Sequence, residues 1–286
     1  MKSIVIFYHT DCPDGFGAAW AAWKKFGKKA DYISIGPGQT SKQLGKAKIK
    51  KKDIYFLDVC SSPEKLEQLV RDNLSVTVID HHETNRGFVK NATQWYFDIN
   101  HSAAVLTWLY FFPKNPVPWL LRCIEDNDIW KFSLPHSVPI SLRLGLFKAD
   151  FKIWDKLASD LERTPLRKKY VKEGELLLKY EDRIIHGLLK GAYEVKFKGH
   201  LARAVNTSVS HSQVGNLLID EKHPIGIVWY ENGKVRRYSL RSKGATDVSR
   251  LARQFSGGGG HKHAAGFTLP ANKPFPWKVI KKKNEE

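Results

Sequence analysis

Cysteine is scarce in this chain. Cys12, Cys60 and Cys123 are the only three among 286 residues. An odd, sparse set with no short pairing argues against a disulfide scaffold and suits a reducing compartment. Long apolar runs are absent as well: no stretch approaches the ~18 residues that a membrane-spanning helix needs. The segment Met1–Phe7 has one lysine and a brief apolar run, then turns polar at His9 and Asp11. That is unlike a secretory signal, so a cytoplasmic protein without a membrane partner is expected. Acidic residues are also in short supply, with Asp+Glu 29 against Lys+Arg 47 and a net charge of +18. Such a field favours a polyanionic partner. There is no internal repeat. The one glycine-rich stretch is not a Walker loop, because no Lys-Ser/Thr pair follows it into a helix.

What the chain does have is a series of apolar runs that end in acids or imidazoles. Residues 3–8 read as a first strand running into His9, with Asp11 and Asp14 just beyond. A helix begins near Pro13, a residue suited to the first turn. Phe16, Ala19, Trp20, Trp23 and Phe26 share one face of it, and Gly27 closes it. A second strand is expected at 31–35, with a turn at 36–38, and the lysine run Lys46–Lys52 reads as a solvated segment. A third strand, 54–57, ends in Asp58. Ser62 and Pro63 open the next helix, and the strand 76–80 ends in Asp80-His81-His82. Period-free, β-branched runs of this kind are buried strands of a parallel sheet. Such a sheet would bring its carboxyl ends to one edge, where open α/β sheets bind ligands.

Residues 101–112 and 116–127 read as buried helices. The second ends in Glu125-Asp126-Asn127-Asp128, acids that oppose the helix dipole and call for a positive partner. Beyond about residue 140 the pattern loosens, and 165–190 reads as one long charged helix of the sort that joins domains. Strands at 192–197, 201–206, 225–231 and 235–241, with helices at 211–219 and 247–254, then suggest a small α+β domain. The expected organisation is α/β. A parallel-sheet metal-binding domain at 1–164 is joined by a connecting helix at 165–190 to a substrate-binding domain at 191–286.

In the last domain, Gly257 to Gly260 precede His261, Lys262 and His263. Adjacent glycines let backbone amides approach an anion as a nest. Arg236, Arg237 and Arg241-Ser242 on the strand before it could meet the same anion.

Collected, the N-terminal part offers His9, Asp11, Asp14, Asp58, Asp80, His81, His82, Asp126 and Asp128. Carboxylates mixed with imidazoles suit Mn²⁺ or Mg²⁺, with Zn²⁺ and Co²⁺ as alternatives. The surplus of acids argues for two ions bridged by a carboxylate, an arrangement that activates water against a phosphate. The cysteines near these residues are read as small packing residues rather than thiolate ligands.

These motifs, in this order, resemble the DHH phosphoesterase superfamily. Asp80-His81-His82 is similar to its defining motif. Gly258-Gly259-Gly260-His261 with Ala264-Ala265-Gly266-Phe267 is similar to the signature of its associated C-terminal domain, and Arg241-Ser242 to that domain's substrate strand. The superfamily includes single-strand exonucleases, nanoRNases, cyclic-dinucleotide phosphodiesterases, exopolyphosphatases and pyrophosphatases. The resemblance implies His9, Asp14, Asp58 (bridging), His81 and Asp128 as ligands, with Asp126 as the alternative to Asp128. It implies His82 facing the phosphate with Asp80 supporting it, and Arg241, Ser242, Gly258, Gly259, Gly260, His261 and His263 gripping substrate. The first motif departs from the usual His-x3-Asp-x-Asp spacing, since here His9, Asp11 and Asp14 stand in its place, which leaves the role of Asp11 open. The expected activity is metal-dependent hydrolysis of a short single-stranded oligonucleotide or nucleotide phosphodiester. The alternatives are a phosphoanhydride substrate and a non-catalytic nucleic-acid binder, and the active site is expected in the cleft between the domains.

Overall fold

The structure, a computed structural model, describes residues 1–36 and 49–280. The expected turn at 36–38, the start of the lysine run and the basic tail at 281–286 fall outside these residues or at their margin. The chain divides into two compact units, Met1–Leu178 and Lys179–Glu286.

In the first unit β1 (Ile4–His9), β2 (Ala30–Ile35), β3 (Asp53–Leu57), β4 (Ser75–Asp80) and β5 (Gln94–Phe97) form one sheet in the order β2-β1-β3-β4-β5. All neighbouring pairs are parallel. The strand period of two divides the core. From β1, Val5 and Phe7 join Ile54, Phe56, Leu66, Val76 and Val78 on one face, whereas Ile6 joins Leu57, Ile79, Trp20 and Leu121 on the other. Both faces are therefore dry, which is why the strands read as unbroken apolar runs. Helix α2 (Pro63–Asp72) lies with the first cluster through Leu66 and Leu69. Helices α1 (Pro13–Phe26), α3 (Ala103–Phe111), α4 (Trp119–Asp128), α5 (Ser137–Leu144) and α6 (Phe151–Glu162) lie with the second. With β1 flanked by β2 and β3, the strand order reverses beside β1. This is the switch point at which doubly wound sheets open a crevice at their carboxyl ends.

Three elements of this unit escape sequence reading, β5 and the helices α5 and α6. Strand β5 is an exposed edge with no alternation of burial. The long charged helix is observed as α7 (Thr164–Leu189).

The second unit is a mixed sheet of β6 (Tyr193–Phe197), β7 (His200–Asn206), β8 (Ile225–Asn232), β9 (Val235–Ser242), β10 (Gly259–His261), β11 (Ala264–Pro270) and β12 (Trp277–Val279), in the order β10-β11-β9-β8-β7-β6-β12. Only β7 and β8 pair in parallel. Helices α8 (His211–Leu217) and α9 (Val248–Ala252) pack on it, and Phe197, Tyr238, Leu240 and Phe267 fill its core. The glycine stretch expected to form an anion nest lies partly in a strand. Gly259 and Gly260 belong to β10, paired with β11. A Cβ on Gly260 would lie 2.5 Å from the Ala264 carbonyl oxygen, and one on Gly258 would lie 2.0 Å from that of Ala252. Gly258 and Gly260 are therefore required for close backbone packing, whereas a Cβ on Gly259 would meet nothing within 4 Å.

Candidate metal centre

The site is assembled from strand tips of the first unit. β1 delivers His9, and the chain turns at Asp11 (φ 54) into α1, whose first turn carries Asp14. Gly15 makes this turn sit tightly, since a Cβ there would approach the His9 carbonyl oxygen to 2.4 Å. Past β3 comes Asp58, whose φ of 60 lies in the left-handed region that Asp tolerates better than most residues. Past β4 come His81 and His82, and the end of α4 supplies Asp128.

Three carboxylates converge on one imidazole nitrogen. His81 Nε2 lies 3.6 Å from Asp14 Oδ2, 3.4 Å from Asp58 Oδ1 and 3.6 Å from Asp128 Oδ2. One N–H cannot serve three acceptors, and all three distances exceed a good hydrogen bond. Asp58 Oδ1 and Asp128 Oδ2 are buried, and no described residue reaches either with hydrogen-bond geometry. Ligand atoms of Asp14, Asp58 and His81 lie within 4.8 Å of one another, as do those of Asp58, Asp80 and His82, and of His9, Cys12 and Asp58. Asp58 is common to these clusters, the placement that bridging two ions would require. Buried oxygen acceptors without donors, grouped with imidazole, are a donor set that fits a hard divalent cation.

The electrostatics agree. Burial alone would raise the pKa of Asp58, but contacts with His81 and His9 and the charge of His82 outweigh it and hold the carboxyl well below its ordinary range. Burial, reinforced by Asp128 and Asp58, raises Asp14 well above its ordinary value, and burial raises Asp128 to about 6. Burial disfavours the charged form of His81, yet Asp58, Asp14 and Asp128 prevail and raise it to about 9. In the metal-free protein, then, a protonated imidazole supplies the positive charge that the acids demand. Burial raises the thiols of Cys60 and Cys123 to about 12 and that of Cys12 well above its usual value, so none is a thiolate.

Asp80 stands behind the site. Its Oδ1 accepts the backbone N–H groups of His81 (2.7 Å) and His82 (3.0 Å) and the Nδ1–H of His82 (2.7 Å), while Oδ2 accepts from Asn85 Nδ2 (2.5 Å). Burial opposes the charged form of His82, but this bond and the charges of Asp80, Asp58 and Asp128 raise its pKa to about 10. His82 is therefore an imidazolium at neutral pH.

Two acids in the expected ligand set lie elsewhere. Asp11 is exposed and belongs to none of these clusters. Asp126 is buried, but its Oδ1 accepts from Ser133 N (2.8 Å), Ser133 Oγ (3.0 Å) and Leu134 N (3.1 Å), and its Oδ2 accepts from Ser137 Oγ (2.5 Å). It fastens a loop. Asp14 has a second task that spacing could not reveal, because its two oxygens accept the N–H groups of Ala103 and Ala104 at the start of α3, each at 2.8 Å.

In the second unit the register sets Arg241, Ala264 and His261 side by side across β9, β11 and β10. Ser242 is buried, its hydroxyl donating to Thr246 O (2.7 Å) and lying 3.2 Å from His263 Nδ1. Arg241 donates from Nη2 to Ser212 Oγ (2.5 Å), whereas its Nε is buried without a partner among the described residues. His211 and Ser212, which sequence reading passed over, thus accompany Arg241. The small Gly215 permits this, since a Cβ there would come within 2.9 Å of Arg241 Cγ.

Residues 196–282 match the DHHA1 domain family. Over 289 residues the chain is 29% identical to an uncharacterized protein of Acanthamoeba polyphaga mimivirus, covering 93% of this chain and 67% of that protein. Among solved structures it is similar to an exopolyphosphatase-related protein from Bacteroides fragilis, with a TM-score of 0.52, 14% identity, and 93% and 86% of the two chains covered. An uncharacterized protein from Helicobacter pylori aligns with a TM-score of 0.47, 16% identity and 94% of each chain covered. The Bacteroides likeness is one of fold. The first unit thus gathers acids and imidazoles at the tips of a parallel five-stranded sheet, and residues 196–282 of the chain carry a DHHA1 domain. The DHHA1 match lies in the part of the chain that resembles the C-terminal domain associated with DHH phosphoesterases. No helix among the described residues is long and apolar enough to cross a membrane.

Proposed function

We propose that this protein is a metal-dependent phosphodiesterase acting on short single-stranded oligonucleotides or related nucleotides. The observation that carries the reading is the convergence of Asp14, Asp58 and Asp128 on His81 Nε2, with buried oxygens of Asp58 and Asp128 left without donors. His9, Asp14, Asp58, His81 and Asp128 would hold two Mn²⁺ or Mg²⁺ ions, with Asp58 shared. Such ions polarise a phosphoryl oxygen and make a water nucleophilic at neutral pH. His82, protonated and held through Nδ1 by Asp80, donates to the phosphoryl oxygen on which charge develops. Asp80 keeps that ring oriented and charged. Arg241 and His261 of the DHHA1 domain bind the anionic remainder of the substrate. The net charge of +18 supports a partner with several phosphates.

The test is hydrolysis by purified protein in Mn²⁺, with and without chelator. A labelled dinucleotide, a longer single strand and polyphosphate would be compared. Chelator-sensitive cleavage of either nucleic acid is expected. Cleavage of polyphosphate alone would replace the phosphodiester with a phosphoanhydride. Oligonucleotide binding without any turnover would mark a non-catalytic binder. His82→Ala should keep the metal while lowering kcat by about 10²–10⁴-fold, and Asp58→Ala should lose both. Wild-type metal content in the Asp58 variant would remove the bridging role.

A further inference from the structure

The segment between α4 and α5 holds two large aromatic rings in water. Trp130 is 42% exposed and Phe132 47%, although the adjoining core is built from rings of the same kind. Both have left-handed backbone, φ 57 and φ 47, and His136 follows with φ 64. Bulky residues avoid this region, so three such residues within seven mark a segment held against its own preference. The restraint is visible. The Asp126 carbonyl oxygen accepts from Lys131 N (3.0 Å) and Phe132 N (3.2 Å), and its carboxylate binds Ser133, Leu134 and Ser137. Lys131 Nζ is tied to the Asn100 carbonyl oxygen at 3.0 Å. Lys131 is thereby fastened while the rings on either side of it stay in solvent.

The rings meet edge to face, with centroids 5.0 Å apart and an interplanar angle of 84°. They do not cover one another as a parallel stack would. Beside the Phe132 ring is an open depression of about 220 Å³ lined also by Leu134, Pro135 and His136, among others. Pockets that enclose a whole ligand usually run to about 300–1,000 Å³, so this one has room for only one part of a ligand. Its place in the chain says which part. Trp130 is two residues from Asp128, so their Cα atoms are at most about 7.6 Å apart. Asp128 Oδ2 is 3.6 Å from His81 Nε2 at the centre where the phosphate reacts. In a nucleotide the base lies one sugar away from its phosphate.

We propose that Trp130 and Phe132 form a stacking subsite for a nucleobase of the substrate, beside the phosphate-binding centre. The subsite deepens the phosphodiesterase reading and rests on it. An inorganic phosphate chain has no π face to offer, whereas every nucleobase has one. The platform carries no sequence preference of its own, because stacking accepts any base. It selects for substrates that carry bases. Asp126 serves it as a positioning residue.

The test compares a dinucleotide with the same phosphodiester built on base-free sugars, in Mn²⁺. Trp130→Leu and Phe132→Leu keep apolar bulk and remove the π face, while Trp130→Phe keeps a face. Each leucine variant should raise KM for the dinucleotide by about 5- to 100-fold, the span of base–aromatic stacking. It should leave kcat, and all constants for the base-free substrate, near wild type. The phenylalanine variant should retain most of the affinity. Equal changes on both substrates, or none on either, would overturn the subsite while leaving the phosphodiesterase reading intact. Wild-type protein that hydrolyses neither phosphodiester would sink that reading instead. The subsite would then be judged by equilibrium binding of dinucleotide and tripolyphosphate to wild type and Trp130→Leu. Selective weakening of the dinucleotide sustains it; equal binding, or no dinucleotide binding by wild type, removes it.

Discussion

Asp126 and Asp128 sit two positions apart at the end of α4 and do opposite work. The carboxylate of Asp126 is saturated by donors from the following loop, whereas Asp128 keeps a buried oxygen with no donor among the described residues. Asp126→Ala should therefore cost about 2–4 kcal/mol by stranding the Ser133 and Leu134 N–H groups, read by denaturant unfolding, with metal content unchanged. Asp128→Asn should do the reverse. Its carboxyl titrates near 6, above its ordinary value, so at pH 7 the ionised group opposes folding of the metal-free protein. Tm without metal should rise by a few degrees while Mn²⁺ affinity falls about 100-fold or more. An unchanged affinity would take Asp128 out of the ligand set. The same titrations set a pH dependence. A cation must displace the proton of His81, whose pKa is raised to about 9, any proton held by Asp14, whose pKa is also raised, and below about 6 that of Asp128 as well. Apparent metal affinity should thus fall about tenfold per pH unit as pH drops through neutrality, and more steeply below about 6. Calorimetry in buffers of different ionisation enthalpy would count the protons released; none released at pH 7 would contradict the charged state assigned to His81.

At the scale of elements, the site depends on how closely α1 follows β1. Gly15 lies against the His9 carbonyl oxygen, and a methyl group there would meet it at 2.4 Å. Gly15→Ala should force the two elements apart, costing about 1–3 kcal/mol and weakening metal binding through both His9 and Asp14. Full metal affinity in a destabilised Gly15→Ala protein would show that this contact serves folding alone. The strands that end in these acids and imidazoles were legible because a strand buried on both faces must be apolar throughout, so its polar end stands out. Strand β5 was not, because Gln94, Trp95 and Tyr96 are exposed at the sheet edge and show no pattern of burial. β10 was not legible as a strand because glycine serves a loop and a tight strand pair equally well, and its pairing depends on the partners Ala264 and Ala265.

For the whole molecule the dominant fact is charge. At +18, binding of a multiply charged strand should weaken with the logarithm of salt in proportion to the phosphates neutralised. Between about 50 and 200 mM salt a long single strand should lose far more affinity than a dinucleotide. Equal slopes would mean that the basic surface lies away from the substrate path. The sequence by itself determined the class of fold and the acids and imidazoles that stand at the strand ends, because burial and periodicity are local demands written along the chain. Only the tertiary structure decided which of two neighbouring acids faces His81, that Asp14 also receives the start of α3, and that Trp130 and Phe132 stand in solvent. Those outcomes depend on which donors and carbonyl groups arrive from distant segments, and no spacing along the chain encodes their arrival.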